Sequence, residues 1–442
     1  YEITHDNKKI YVGCAVGHLF NLREKNKKGW TYPVFETEWA ASYEINKGSE
    51  FTKKYIDILS KLTKKSDIFT VATDYDLEGS LIGYNVLRFI ANKKDGRRMK
   101  FSALTKEELQ ESYENASKHL DFPLIESGEA RHIIDWVTGI NLSRALTLSI
   151  KNATNRFKIL SSGRVQGPTL KILAQRELEI QKFNPKPYWE LEALGDIYSQ
   201  HKNGKFWEEK EVKKIYERIK DEKSAVVKKI TRKTQLQLPP NPFDLTSLQL
   251  EAYRLFRINP KDSLAIAQNL YTKAYISYPR TSSNQFSANI NLKSILQKLE
   301  KQNEYKKLIQ ELLSKGPLKP NNGKKQDPAH PPISPTGVEP KKLSDKERRI
   351  YDLIVRRTLA TLADPAKRES ISIGLDIKKE PFIATGARTL EPGWHKFYGK
   401  YATFEETNLP DIKEGEIVKI KKINLLSKET QPPKRYTPAS II

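Results

Sequence analysis

A multidomain chain of α/β plus α+β character is what this sequence predicts, and three observations carry the prediction. The first is length: 442 residues exceed what one hydrophobic core ordinarily organises, so several domains are expected. The second lies near the front of the chain. There Ile68, Phe69, Thr70, Val71 and Ala72 form an apolar, β-branched run that reads as a buried strand, and after an acidic turn Leu81, Ile82, Asn85, Val86 and Phe89 recur at helical spacing. The third is a pair of β-textured stretches, from Tyr188 to Val227 and from Ile371 to about Leu426. Both are broken by polar turns such as Asn203-Gly204, and they are read as parts of one domain.

The remaining elements follow in chain order. Thr105 with Glu108 predicts a capping box opening a helix through His119, and the α/β character continues to about Phe122. Ile133, Ile134, Val137 and Ile140 mark a long helix from Glu129 to Ile150, and a second helix begins near Pro168. The segment Leu238, Pro239, Pro240, Asn241, Pro242 reads as a rigid hinge. Beyond it, Thr246 to Phe256 and Asp262 to Thr272 are two helices around the Asn259-Pro260 turn, a helix-turn-helix-like outline. The outline closes on an extended run from Ala274 to Tyr278, halted by Pro279, which also keeps Tyr278 out of helical geometry. A Pro-rich loop spans Pro317 to Pro340.

Lys and Arg number 77 against 54 Asp and Glu, a formal net charge of +23, so an anionic polymer is the first partner to consider. Charge alone would equally suit a ribosomal or membrane-surface protein. A single cysteine, Cys14, means that neither an internal disulfide nor a cysteine-rich zinc ribbon can form within these residues, and a reducing, cytoplasmic compartment fits. No run of about eighteen apolar residues is present, which removes the transmembrane reading, and no secretory leader is expected. The chain is read as a fragment, because Tyr1-Glu2-Ile3 is not a translation start and its end falls in an apolar periodic segment.

Four motifs carry chemistry. Asp74, Asp76 and Glu78 alternate where the first strand ends and are followed by Gly79. Carboxylates in that pattern suit a hard cation, and Mg2+ is held by one or two of them with waters and substrate phosphate. Tyr278, Pro279, Arg280 and Thr281 put a guanidinium two residues from a phenol. A free phenol, with a pKa of about 10, is ionised in only about one molecule in a thousand near neutrality, so a nucleophilic tyrosine needs such help. Ser162, Gly163, Arg164, Val165, Gln166, Gly167, Pro168 and Thr169 form a small loop entering a helix, where backbone amides suit a phosphate. His330 sits in a proline-stiffened loop and is a candidate for phosphate contact or proton transfer.

In this order, with Gly17-His18-Leu19 ahead of them and Thr246 to Ala252 before the tyrosine, these segments resemble the type IA DNA topoisomerases. Tyr75 and Leu77 between the carboxylates resemble the archaeal topoisomerase III branch. The resemblance implies a torus of a toprim domain (1–125), a winged-helix-like DNA-binding domain (126–187 with 434–442), a β-rich arch (188–238 with 369–433) and a winged-helix-like domain bearing the nucleophile (239–368). It implies Tyr278 as nucleophile, Arg280 and His330 as catalytic partners, and Asp74, Asp76 and Glu78 as Mg2+ ligands. DNA would be contacted by Ser161, Ser162, Gly163, Arg164, Val165, Gln166, Thr169 and His18. The expected substrates are single-stranded and underwound duplex DNA, cut through a 5′-phosphotyrosine without ATP, in keeping with the lack of a GxxxxGK[ST] loop. A nucleoid-associated monomer follows from the same resemblance, which leaves room for a helicase partner. A further family glutamate, a general acid, is expected upstream of Tyr1, and zinc ribbons are frequent beyond the family's core. Two other readings stand beside this one: a toprim-type metal nuclease or primase, and a non-catalytic single-strand binding module.

Overall fold

The structure, a computed structural model, describes residues 1–5, 8–327 and 329–442. Pro328, part of the His330 loop, lies outside the described residues. Two compact units emerge: residues 1–174 with 327–330, and residues 175–326 with 331–442.

In the first unit, β1 (Glu2–His5) pairs antiparallel with β2 (Lys8–Tyr11), and β3 (Phe20–Glu24) with β4 (Thr37–Ala41). The short α1 (Ser42–Ile45) and α2 (Thr52–Thr63) lead to β5 (Thr70–Val71), which runs parallel to β6 (Arg97–Arg98). Between them crosses α3 (Leu77–Phe89), so this is the βαβ unit that a parallel pair requires. Val71, Leu81, Leu87, Leu120 and Ile125 form its core. Gly83 lets the helix lie on the strand, since a Cβ there would come within 2.3 Å of Val71. The strand expected over residues 68–72 shortens to two residues because Ile68 is 68% exposed and leaves the apolar layer.

Thr105 caps α4 (Lys106–Glu114) by accepting from the Glu108 amide, but the Glu108 carboxylate accepts from the Ser102 and Ala103 amides, so the expected reciprocal box does not close. The helix also stops at Glu114, short of His119, because Ser117 pairs across to Arg98. Next, α5 (Phe122–Thr154) is one unbroken helix that buries only Ile125, Gly128, Arg144 and Thr147. Its Ile134, Leu142 and Leu146 are exposed, as are Leu170 and Leu173 on α6 (Gln166–Lys182), which buries no residue. The apolar stripe therefore specified helix without specifying core.

The second unit is built on a closed barrel. Its strands are β7 (Pro187–Gly195), β8 (Ser199–His201), β9 (Ser224–Gln237), β10 (Ala366–Ile377), β11 (Glu380–Glu391) and β12 (Ile417–Glu429), in the order β10-β11-β8-β7-β12-β9. Strands from both β-textured stretches share it, and four run to twelve residues or more, well beyond the short strands the sequence texture suggested. Closure removes free edges. Leu191, Val227, Ile373, Leu375, Phe382 and Val418 fill it, with Val212 and Ile219 of α7 (Glu209–Ile219) packed into the same core.

Between β9 and β10 the chain forms α8 (Leu245–Phe256), α9 (Pro260–Thr272), α10 (Leu292–Leu299), α11 (Asn303–Ser314) and α12 (Asp345–Thr361). Asp244 closes a capping box with Ser247, and Pro260 opens α9 at its first turn, where a missing amide hydrogen does no harm. Eleven of seventeen residues of α12 are buried, from Glu347 to Thr361. The expected hinge at residues 238–242 is pinned: Asn321 donates to the Pro239 carbonyl, Thr361 to Pro240 and Arg357 to Asn241. After β11 comes α13 (Trp394–Tyr398). Near the end of the chain Arg435 pairs with Glu177 at 2.6 Å, and Arg176 donates to the Lys434 carbonyl and the Tyr436 hydroxyl.

Candidate active site

The acidic turn is the hinge of the βαβ unit, placed at the carboxyl end of β5 where open sheets bind ligands. Asp76 is the N-cap of α3, its Oδ1 accepting from the Gly79 amide at 2.7 Å, so this carboxylate is oriented by the helix that it starts. Only glycine fits at position 79, because a Cβ would meet the Asp74 carbonyl oxygen at 2.2 Å. Glu78, in the first turn, lies 2.8 Å from His18 Nε2. Asp74, Asp76 and Glu78 are all half-buried.

Beneath the turn lies a residue that the sequence reading missed. Arg98, 1% exposed on β6, donates to the carbonyls of Val71 (3.2 Å), Thr73 (2.8 Å) and Asp74 (2.7 Å). Its guanidinium also stands 5.3 Å from the Tyr75 ring centroid. Burial lowers its pKa to about 10, still leaving it fully charged near neutrality, with Tyr75, Asp76 and Asp74 favouring the cation. One arginine thus satisfies the carbonyls of the strand end and places a fixed positive charge among the acids. Tyr75 in turn donates to Asp121 Oδ2 at 2.6 Å. No local signal in Arg97-Arg98-Met99-Lys100 marks which arginine turns inward.

His330 falls in the first unit. Its Nδ1 is 3.2 Å from Ser102 Oγ and its ring packs edge-on against Tyr75 at 6.3 Å. At 4% exposure, burial holds the imidazole below the usual histidine range, outweighing the opposing pull of Asp327. A neutral ring is the form such a pocket favours near neutrality.

His18 joins Glu78 rather than standing alone, and its ring lies 5.1 Å from that of His132 on α5. Arg164 is half-exposed and paired through Nε with Asp135 at 2.6 Å. In the same loop, Ser162 exchanges hydrogen bonds with Ser143: its amide donates to Ser143 Oγ and its carbonyl accepts from it. Thr169 donates to the Val165 carbonyl, Gln166 is the first residue of α6, and Ser161, Val165 and Gln166 are exposed, with Gly163 half-buried.

The tyrosine belongs to the second unit. The extended run before it is tied to one neighbour: Ser277 donates through its amide to the Ser334 carbonyl (2.8 Å), the Ser334 amide donates to Ser277 Oγ (3.0 Å), and the Thr336 amide donates to the Tyr275 carbonyl (3.1 Å). Ile276 forms an isolated bridge with Pro335, so the Pro-rich loop is the partner of this run. Tyr278 is 2% exposed and packs edge-on against Tyr271 of α9 at 5.2 Å, whereas Arg280 is exposed. The Leu245 amide donates to the Thr281 carbonyl, tying the motif to the start of α8.

The chain resembles known proteins along its whole length. Residues 119–442 match the family model described as DNA topoisomerase, and residues 5–104 match the Toprim domain, a metal-binding fold. A protein named DNA topoisomerase 1 from Methanocaldococcus jannaschii is 50% identical over 100% of this chain and 58% of its own length. The DNA topoisomerase 1 of Pyrococcus horikoshii is 44% identical over 100% of this chain and 66% of its own. The solved full-length topoisomerase I of Thermotoga maritima superposes with a TM-score of 0.73 at 28% identity, covering 96% of this chain and 69% of that one. The chain therefore spans less than two thirds of the curated relatives that it matches.

Proposed function

This chain belongs to the type IA DNA topoisomerase family, and on that premise we propose that it is the strand-cutting and rejoining core of an ATP-independent topoisomerase. In this reading the phenolic oxygen of Tyr278 bonds to a backbone phosphorus of single-stranded DNA. The bond from phosphorus to the 3′ oxygen breaks, and that oxygen departs and takes up a proton. The phosphodiester's energy stays in the 5′-phosphotyrosine link, so resealing is the reverse attack by the 3′ hydroxyl and requires no nucleotide. Another strand passes in between, which relaxes negative supercoils or decatenates DNA.

The observation that carries the reading is how Tyr278 is held: at the end of an extended run fixed on one side by the Pro-rich loop, with the permanent charge of Arg280 two residues on. Arg280 acts by electrostatics on the phenolate and on charge spreading over the phosphate. His330, buried and neutral, serves as a hydrogen-bond donor towards the scissile region. Arg164, His18 and the loop from 161 to 166, with Thr169, contact the DNA backbone. The domain limits implied by the family, 1–125, 126–187 with 434–442, 188–238 with 369–433 and 239–368, are our division of the chain.

For the metal we assign Mg2+, with Asp74, Asp76 and Glu78 as its holders. The residues present fit: an all-oxygen set, half-buried, on a turn whose glycine brings the backbone close, suits a hard cation that keeps several waters. Bound there, Mg2+ would supply positive charge next to the phosphate and allow a polyanion to approach the acids. A single-stranded oligonucleotide incubated with Mg2+ and the protein carrying its expected upstream glutamate, then run on a denaturing gel, should yield a protein-linked DNA species. Tyr278→Phe should remove it completely. Cleaved DNA carrying no protein would instead identify a metal nuclease, and tight binding with no cleavage a single-strand binding module.

A further inference from the structure

Three potential metal ligands meet beside the acidic turn without involving Asp74 or Asp76. His18 from the loop before β3, Glu78 from the first turn of α3 and His132 from α5 each offer one ligand atom, and the three atoms lie within 4.8 Å of one another. The three come from separate elements, so no helical repeat produces the arrangement. Tetrahedral ligands bound to Zn2+ at about 2.0–2.1 Å sit roughly 3.3–3.5 Å apart, so small side-chain rotations would close the set. His18 Nε2 and Glu78 Oε2 are already 2.8 Å apart.

The bed under this cluster is stiff. Trp39 stacks on His132 at 5.1 Å and 27°, and its indole nitrogen donates to Glu129. Arg88 lies over the Trp39 ring and donates to the same glutamate. On the other side the His18 carbonyl accepts from Ser42 Oγ. All three ligands retain some solvent access, which leaves a position for water or a phosphate oxygen.

We propose that His18, Glu78 and His132 form a site for a borderline divalent transition metal such as Zn2+, distinct in chemistry from the hard-cation turn. Two imidazoles and one carboxylate match Zn2+, Mn2+ or Co2+ rather than Mg2+, which prefers oxygen alone. The site shares Glu78 with the Mg2+ reading and nothing else, so a transition metal there withdraws one acid from the turn. Arg131, whose Nε is 3.9 Å from Glu78 Oε1, is the resident competing cation.

The test is a Co2+ titration of the 442-residue chain carrying Cys14→Ser, so that the sole thiol adds no ligand, in excess Mg2+. One equivalent with the d–d absorption of four- or five-coordinate cobalt is expected, displaced by Zn2+. His18→Ala and His132→Ala should each weaken binding by more than about a hundredfold, beyond the roughly 10–100-fold typical of losing an outer partner. Arg131→Ala should tighten it. Should His132→Ala unfold by circular dichroism, His132→Gln takes its place. Asp76→Asn should leave cobalt binding intact while abolishing Mg2+-dependent cleavage, which separates this site from the functional reading. No cobalt spectrum, or a spectrum indifferent to both histidine substitutions, overturns the proposal and leaves His18 and Glu78 as a simple hydrogen-bonded pair.

Discussion

The acidic turn of the first unit and the tyrosine strand of the second are both short, irregular segments, yet they are held by different physics. The turn rests on charge: a buried guanidinium bonded to three carbonyls and a carboxylate capping a helix. The tyrosine strand rests on packing and neutral hydrogen bonds, with Tyr278 against Tyr271 and Ser277 exchanging bonds with Ser334. Removing one member of a charge-built site strands several buried polar groups at once, whereas a packed site loses its contacts one at a time. The comparison teaches that two motif-bearing segments of one chain need not share a mode of support.

Substitutions can break this contrast, and Arg98→Met should do so most severely. Three carbonyls lose their donor, and a loss of about 3–5 kcal/mol is expected in urea unfolding without metal. Arg98→Lys should recover part of it, since one ammonium cannot span the same acceptors. A loss below about 1 kcal/mol in Arg98→Met would show the turn to be supported otherwise. On the other side, Ser277→Ala leaves the buried Ser334 amide without its acceptor and should cost about 1–3 kcal/mol, with little change between low and high salt. A strong salt dependence of that loss would erase the distinction.

Asp76 sharpens it further. Asp76→Ala removes the cap of α3 and should lower stability by about 1 kcal/mol, whereas Asp76→Asn keeps a capping oxygen and should lose only a few tenths. Thermal melts of the two separate capping from cation binding. The smallest effect expected is that of His330. Its folded-state pKa is depressed by burial, so the stability contributed by the neutral ring is present above the unfolded value of about 6.5 and is lost as pH falls towards the lower folded value. His330→Gln should flatten the stability profile over that interval, and an unchanged slope would mean that the ring titrates alike in the folded and unfolded chain.

Much of this was legible in the sequence where the signal was local. The Asn259-Pro260 turn bounded α8 and α9 almost to the residue, because caps and prolines act on their own neighbours. The strand–acidic turn–helix order was legible for the same reason. What escaped depends on contacts between distant residues. The apolar stripe of α5 gave its helix, but periodicity is blind to whether a partner covers the stripe, and Ile134 and Leu142 stand exposed. The proline-rich segment at 238–242 looked like a hinge, but Asn321, Thr361 and Arg357 bind its carbonyls from far along the chain. Motif resemblance named Asp74, Asp76 and Glu78 but not Arg98 beneath them, nor the meeting of His18 with His132, which no spacing announces.

The register of the barrel has one more implication. Gln237, the last residue of β9, is the pairing partner of Ala366, the first of β10. The chain between them, Tyr278 and α8 to α12 included, therefore leaves and rejoins the barrel at adjacent strand ends. Yet α13 and the turn after it rest on this insertion, Tyr398 donating to Glu251 and Tyr401 to Asp352, so a reverse turn spliced between those two positions would bare the buried faces of Trp394, Phe397 and Tyr401 and leave the barrel with an apolar patch to cover.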